Sequence, residues 1–236
     1  MSISHIIQSF ISFFCPRYCL ICEQYSTQYY LFCDSCIQAH YPEKICIYCG
    51  KSCSSNSTSA YCSTYCKEKV NIPIIYAIPY HCPIGEYTHK IKKYFYLHYI
   101  DGFSQLLLKR IRQYVNYQDI DGIVFVPLHK NTLRRRKFNQ SACIAKIISK
   151  ALDIPILDNI IEKTTPSISQ KLLSKKQRKH NLQHCFTVLK KGRQEKLILI
   201  DDIYTTGSTC NIVTALLSKY NYHITYHIVL SRVLSP

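Results

Sequence analysis

Negative charge is scarce in this chain. Its 236 residues include 30 Lys or Arg but only 14 Asp or Glu, a net charge of +16 with histidine neutral. So basic a balance points to an anionic partner: phosphate, nucleic acid or a membrane surface. Long apolar runs are absent as well. No stretch of 18 or more apolar residues occurs, so no transmembrane helix is expected. The N-terminus lacks a basic n-region and a small-residue cleavage site, so no signal peptide is expected. Apolar residues make up 47% of the chain, which excludes a disordered one. At this length it accommodates one medium domain and a small one.

Ile3, Ile6, Ile7, Phe10, Ile11, Phe13 and Phe14 have helical spacing and predict a short amphipathic helix packed on the body. Its polar side carries no Lys or Arg, which disfavours a membrane-surface helix.

Charge and cysteine divide the chain differently. Residues 1–81 hold five Lys/Arg against four Asp/Glu, whereas 82–236 hold 25 against 10. Ten of the 14 cysteines precede residue 67. They come as pairs, Cys19/Cys22, Cys33/Cys36, Cys46/Cys49 and Cys62/Cys66, and the second set of four repeats the first about 27 residues on. Two cysteines three positions apart at a tight turn can present both sulfurs to one ion, and two such turns complete a closed tetrahedral site. Zn2+ is therefore the expected ligand, in one or two structural sites. A disulfide framework is the alternative; it would need an oxidising compartment, and nothing in the sequence directs export. Gly50 suits a knuckle turn after Cys49. Pairing can be sequential or crossed, and Cys15 and Cys53 are candidate substitute ligands. Cys82, Cys143, Cys185 and Cys210 read as small core residues. Eight thiolates on two Zn2+ would make the N-terminal unit acidic, about −3, so it reads as a scaffold or contact surface, and the basic surface belongs to the rest.

From residue 71 the pattern changes. "NIPIIYAIPY" predicts an edge strand, and residues 87–114 one or two helices broken at Gly102. "DGIVFVPLH" predicts a buried strand ending at Pro127, and "NQSACIAKIISKAL" a helix. "LILI", "STCNIVTALLSKY" and "YHITYHIVLSR" predict a strand, a helix and a closing strand. Strands alternating with helices give an α/β fold with a doubly wound parallel sheet, whose ligands sit beyond the strand C-termini. The expected division is 1–70, an N-terminal helix with the cysteine unit, and 71–236, the sheet.

"LILIDDIYTTGST", residues 197–209, brings the chemistry to that edge. The strand delivers Asp201 and Asp202. Gly207 lets backbone approach a ligand closely, and the hydroxyls of Thr205, Thr206, Ser208 and Thr209 with the following helix N-terminus form an anion cradle. An acidic pair repels phosphate but suits sugar hydroxyls or a divalent metal. A ligand carrying both a ribose and a 5'-phosphate satisfies the whole stretch.

The stretch resembles the phosphoribosyl pyrophosphate (PRPP) motif of type I phosphoribosyltransferases. Residues 126–142, "VPLHKNTLRRRKFNQSA", resemble the signature of the ComF/GntX (ComFC-type) family, a V-P strand end followed by R-G-F-N-Q. Residues 170–186, "QKLLSKKQRKHNLQHCF", resemble that family's Q-x-x-L-x4-R-x-x-N segment and the Phe after it, with Gln170, Leu173, Arg178, Asn181 and Phe186 in the matching places. The paired cysteines fit too, as a double zinc ribbon-like unit. One departure is Lys137, which stands at the family's glycine; if that glycine is left-handed, Lys137 reshapes the loop.

The resemblance implies a type I phosphoribosyltransferase-like domain that binds PRPP with Mg2+. Asp201 and Asp202 would be the catalytic pair on the ribose hydroxyls. Thr205, Thr206, Gly207, Ser208 and Thr209 would hold the 5'-phosphate, and Arg134, Arg135, Arg136 and Lys137 the pyrophosphate, Arg136 foremost. No element for a base or amine acceptor is legible, and Met1-Ser2 leaves no N-terminal catalytic cysteine, so no glutamine amidotransferase half is expected. The run Lys171, Lys175, Lys176, Arg178 and Lys179 holds more charge than one pyrophosphate uses and suits a polyanion such as single-stranded DNA. The resemblance further implies natural transformation: single-stranded DNA met in the cytoplasm, peripherally at the inner membrane. Separately, the near-neutral or acidic charge of the cysteine unit and its apolar N-terminal helix allow it to dock DNA-translocation machinery. An active transferase passing ribose 5-phosphate to a nitrogen acceptor is the alternative.

Overall fold

The structure is a computed structural model. It describes residues 18–19, 21–25, 32–53, 61–63, 66, 68, 71–83, 85, 97–165 and 184–234. The N-terminal helix expected over residues 3–14, Cys15, and the 170–183 segment with its basic run Lys171, Lys175, Lys176, Arg178 and Lys179 lie outside them.

The elements, in chain order, are α1 (Asp34–His40), β1 (Ile74–Pro79), α2 (Leu97–Tyr114), a 3-10 turn (Tyr117–Asp119), β2 (Gly122–Phe125), α3 (Lys130–Arg136), α4 (Gln140–Leu152), β3 (Ile161–Lys163), β4 (Phe186–Val188), β5 (Glu195–Tyr204), α5 (Ser208–Ser218) and β6 (Tyr222–Arg232). Four strands form a parallel sheet in the order β1-β6-β5-β2, while β3 and β4 pair as a separate antiparallel ribbon.

Leu197, Ile198, Leu199 and Ile200 of β5 are all fully buried, because both faces of a parallel sheet are covered. Alternation then splits them. Ile198 and Ile200 pack with Phe103 and Leu107 of α2 and Ile144 and Ile148 of α4. Leu197 and Leu199 face α5, against Cys210, Val213 and Leu217. Helices on both faces confirm the doubly wound fold class.

Two expectations need correction. Gly102 does not break a helix: α2 runs through it from Leu97 to Tyr114. A mid-helix glycine costs about 1 kcal/mol against alanine, and here it is buried beside Phe103, Leu106 and Leu107, so packing outweighs propensity. Arg134, Arg135 and Arg136 do not sit on a plain loop after β2 but form the last turn of α3. His129 caps that helix, its Nδ1 accepting from the Asn131 amide at 3.3 Å.

β1 is an edge strand as expected, yet five of its six residues are buried. The cysteine-bearing segment covers them. The Ile74 amide donates to the Ile47 carbonyl at 2.6 Å, the Tyr76 hydroxyl donates to the Gly50 carbonyl at 2.5 Å, and Ile45 packs on Ile74, Tyr76 and Val229. Arg110 of α2 is fully buried; its guanidinium donates to the carbonyls of Glu43, at 2.8 Å, and Pro42 and stacks 3.9 Å from the Tyr41 ring centroid.

His227 of β6 is 1% exposed, with Nε2 2.9 Å from the Thr214 hydroxyl of α5. Burial, reinforced by the positive charge of Arg232, pulls its pKa from 6.5 to about 4. The fold therefore holds the ring neutral. That contribution is complete above pH 6.5 and drains away as pH falls toward 4, at most about 3 kcal/mol. Urea midpoints should fall across this window in the wild type and fall less in His227→Asn. Parallel pH profiles for the two proteins would contradict the assignment.

Candidate functional site

The C-terminal ends of β1, β2 and β5 meet at one edge of the sheet. The helix after β2 covers one face and the helix after β5 the other, so the chain parts between these neighbouring strands, where open α/β sheets bind ligands. A cavity of about 350 Å3 opens there, lined by Tyr80, Val126, Pro127, Leu128, Arg136, Asn139, Gln140, Ser141, Lys163, Asp201, Asp202, Ile203, Thr205 and Thr209.

Local hydrogen bonds explain how these side chains are held. Asn139 caps α4 by accepting from the Ser141 amide at 3.0 Å, and its Nδ2 donates to the Val126 carbonyl at 3.0 Å, tying the helix start to the end of β2. The Ser141 hydroxyl, so placed, donates to Asp201 Oδ1 at 3.2 Å. The same oxygen accepts from the Asp202 amide at 2.9 Å, and Asp202 Oδ1 accepts from the Ile203 amide at 2.7 Å. Cys210 Sγ lies 3.9 Å from Asp201 Oδ2; burial and the two nearby carboxylates push its thiol far above the ordinary range, which keeps it inert.

Beyond the acids the backbone turns through Gly207 at φ +73°, and α5 begins with no side-chain cap. A helix start leaves up to four amides without intrahelical partners, and here they face a hydroxyl-lined loop in which Thr206 and Ser208 stand 2.8 Å apart. A Cβ at Gly207 would lie 2.1 Å from the Tyr204 hydroxyl, so glycine is required by space as well as by φ.

Of the four basic residues expected at a pyrophosphate, Arg136 alone lines the cavity; Arg134, Arg135 and Lys137 are exposed. Lys137 is left-handed (φ 65°, ψ −12°) and ends α3 by donating its amide to Leu133 at 2.7 Å. Glycine would adopt that conformation without the Cβ conflict. Lys137→Gly should raise the urea midpoint, by up to about 1 kcal/mol in stability, and leave the cavity unchanged. A lowered midpoint would show that Lys137 makes a contact worth more than its strain.

Two cavity residues escaped sequence reasoning. Lys163 arrives from β3 and stands 5.3 Å from the Phe186 ring centroid. Burial lowers its pKa and Arg136 pushes the same way, against Cys185 and Asp201, so two cations converge on this cavity. Gln140 is 2% exposed, and among the described residues its Nε2 has no hydrogen-bond partner. Lys163 has no local motif and is brought in by the chain's return through β3, whereas Gln140 closes the R-G-F-N-Q-like stretch, which by itself assigned it no role.

The eight paired cysteines gather into two groups, Cys19, Cys22, Cys33 and Cys36, and Cys46, Cys49, Cys62 and Cys66, with sulfurs within 4.8 Å of one another in each. Pairing is therefore sequential, not crossed. Cys22–Cys33 and Cys49–Cys62 sulfurs are 3.6 Å apart and Cys62–Cys66 3.3 Å. Those spacings far exceed a disulfide's length of about 2 Å; they approach the roughly 3.8 Å edge of a tetrahedron of thiolates around zinc. The donor set fits structural zinc. Cys53 belongs to neither group.

The repeat is visible atom by atom. The Cys19 amide donates to Gln24 and the Glu23 amide to Cys19; the Cys46 amide donates to Lys51 and the Gly50 amide to Cys46. The fifth residue of each knuckle is left-handed, Glu23 at φ 58° and Gly50 at φ 84°. Burial raises the Cys19 and Cys46 thiols, but backbone donors, chiefly Cys22 and Cys33 for one and Cys49 and Cys62 for the other, bring them down to about 6 and about 7. In the second group Cys66 is lowered as well, chiefly by side-chain hydrogen bonds with Ser63 and Cys62. Of the single cysteines, Cys185 and Cys210 are buried as expected, and Cys82 and Cys143 are half-buried.

The parallel sheet and acid-then-hydroxyl loop at its C-terminal edge define a type I phosphoribosyltransferase-like fold joined to a cysteine-rich unit of zinc-ribbon type. No family model matches the chain. It is 30% identical over 168 residues to competence protein ComFC of Streptococcus pneumoniae, covering 67% of each chain. It is 35% identical over 102 residues to competence protein F of Haemophilus influenzae and 29% identical over 140 residues to DNA utilization protein YhgH of Escherichia coli K12. Those matches cover 42% and 58% of this chain but only 44% and 62% of the two relatives. The chain belongs to the ComF/GntX (ComFC-type) family. Among solved structures, the adenine phosphoribosyltransferase of Thermoanaerobacter pseudethanolicus aligns over 63% of this chain and 74% of its own at 11% identity and TM-score 0.36. That of Trypanosoma brucei aligns over 66% and 81% at 12% identity and TM-score 0.37.

Proposed function

We propose that the chain binds PRPP with Mg2+ at the β5–α5 loop and serves DNA uptake, handling single-stranded DNA on the cytoplasmic side of the inner membrane. The observation that carries PRPP binding is one cavity joining an acidic pair to an uncapped, hydroxyl-lined helix start. Asp201 and Asp202 take the ribose hydroxyls. Thr205, Thr206, Gly207, Ser208 and Thr209 take the 5'-phosphate through hydroxyls and helix amides. Arg136 takes the pyrophosphate, with Arg134, Arg135 and Lys137 adding attraction from outside the cavity. When bound, Mg2+ would neutralise pyrophosphate charge beside the acids.

The DNA role draws on the names of the competence and DNA utilization relatives and on the net charge of +16. The Lys171–Lys179 run supplies the polyanion contact. Residues 71–236 form the PRPP-binding unit. Residues 1–70 form the scaffold, with structural zinc in both cysteine groups and a surface for the translocation machinery. Among the described residues no helix is long and apolar enough to cross a membrane.

DNA binding of this kind is electrostatic. Log affinity for labelled single-stranded DNA should fall linearly with log salt, with a slope reporting several phosphates. A flat salt response would remove the DNA role. Convergence of Lys163 and Arg136 on the cavity favours a second reading, turnover, because preorganised cations stabilise a departing pyrophosphate. It predicts pyrophosphate release from PRPP once a nitrogen acceptor is supplied.

A further inference from the structure

Arg232 ends β6 inside the protein, 7% exposed. Its Nη2 donates to the Tyr48 carbonyl at 2.5 Å, and Tyr48 lies between Cys46 and Cys49 in the second knuckle. The guanidinium also rests against Gly50, where a Cβ would stand 3.2 Å from Arg232 Cζ. On its other side it stacks on Tyr204, 5.5 Å from the ring centroid. Tyr204 closes β5 and lies directly against the phosphate loop, since a Cβ on Gly207 would meet its hydroxyl at 2.1 Å. The Tyr204 carbonyl is fixed in turn by the Val233 amide at 2.8 Å.

An unbroken series of contacts therefore runs from the second cysteine group through Tyr48, Arg232 and Tyr204 to Gly207. The Arg232 Nη1 has no hydrogen-bond partner among the described residues. Four thiolates on one divalent ion carry a net charge of about −2, so a metal at Cys46, Cys49, Cys62 and Cys66 both fixes the Tyr48 carbonyl and presents negative charge toward the buried guanidinium.

We propose that Arg232 is a positioning residue coupling the second cysteine group to the phosphate loop, so that metal occupancy there sets the loop's affinity for a 5'-phosphate ligand. The inference rests on the PRPP reading of that loop. Coupling between binding sites is reciprocal: PRPP must then tighten metal binding at the second group and leave the first unaffected.

The test uses the full chain with both groups loaded with zinc. PRPP with Mg2+ is titrated by calorimetry, and zinc affinity is measured by equilibrium competition with a zinc-selective chelator, with and without saturating PRPP. One zinc should bind on the order of tenfold tighter with PRPP present and the other unchanged. Arg232→Met should abolish that difference and weaken PRPP binding on the order of tenfold at unchanged metal content, with Arg232→Lys restoring part of both. Tyr204→Leu, which leaves Arg232 on Tyr48 but removes the ring beneath Gly207, should uncouple the sites in the same way if Arg232→Met does not fold. Equal tightening at both groups, or none, with PRPP bound overturns the coupling and leaves the PRPP reading intact. Absence of PRPP binding to the wild type overturns both, and it is read in the calorimeter before any metal is displaced.

Discussion

Cys46→Ser is expected to destabilise the sheet and not only the small unit that carries the substitution. The second knuckle is the cover of β1. Without it Ile74 and Tyr76, at 1% and 0% exposure, face water along an unpaired strand edge. Each such side chain is worth about 1.5–3 kcal/mol of burial. Arg232 would lose the Tyr48 carbonyl, and a hydrogen bond made by a charged group contributes about 1.5–3 kcal/mol. Together these approach the whole stability of an ordinary domain, about 5–15 kcal/mol. Zinc content should fall from two to one per chain, and the far-ultraviolet melt should shift down as a whole, as it should for wild type treated with a strong chelator. A sheet that melts unchanged after loss of the metal would mean the cysteine unit is an independent appendage.

The second large effect concerns ligand, not stability. Asp201→Asn with Asp202→Asn should weaken PRPP binding by about a hundredfold or more, because hydrogen bonds to charged groups contribute about 1.5–3 kcal/mol each and two are removed. The fold should persist. Asparagine keeps an acceptor for the Ser141 hydroxyl and for the backbone amides that Asp201 and Asp202 now serve, and removing two neighbouring negative charges relieves repulsion in the empty site. Calorimetry measures the first statement and an unchanged thermal melt the second. Undiminished affinity would move the ribose to another part of the cavity.

What could be read from the sequence was local. The strand, loop and helix of 197–218 are contiguous, and each has its own signal: an apolar run, a cluster of small residues and a helical period. The cysteine repeat is equally local, and only its pairing awaited three dimensions. Elements that depend on distant partners were not legible. β3 and β4 are three residues each and find one another across the 164–185 segment, so neither has a length or alternation to betray it. α3 hides in a charge run because its cap is a histidine, not one of the usual Ser, Thr, Asp or Asn. Lys163 is one lysine among many until the ribbon carries it to the cavity. Arg110 and Arg232 have no local signal that marks them as buried, yet both lie under the cysteine unit, which a composition-based division of the chain treats as separate.

The claim on which the rest depends is that the cavity at the β5–α5 loop holds PRPP. Isothermal titration of PRPP with Mg2+ into zinc-loaded protein, repeated with single-stranded DNA present, tests it most directly. The predicted result is saturable binding at one site per chain, lost in the Asp201→Asn, Asp202→Asn protein and altered in affinity by DNA. Absence of binding by the zinc-loaded, folded wild type would contradict it, leaving the loop as inherited architecture and the basic surface as the place where the protein meets its ligand.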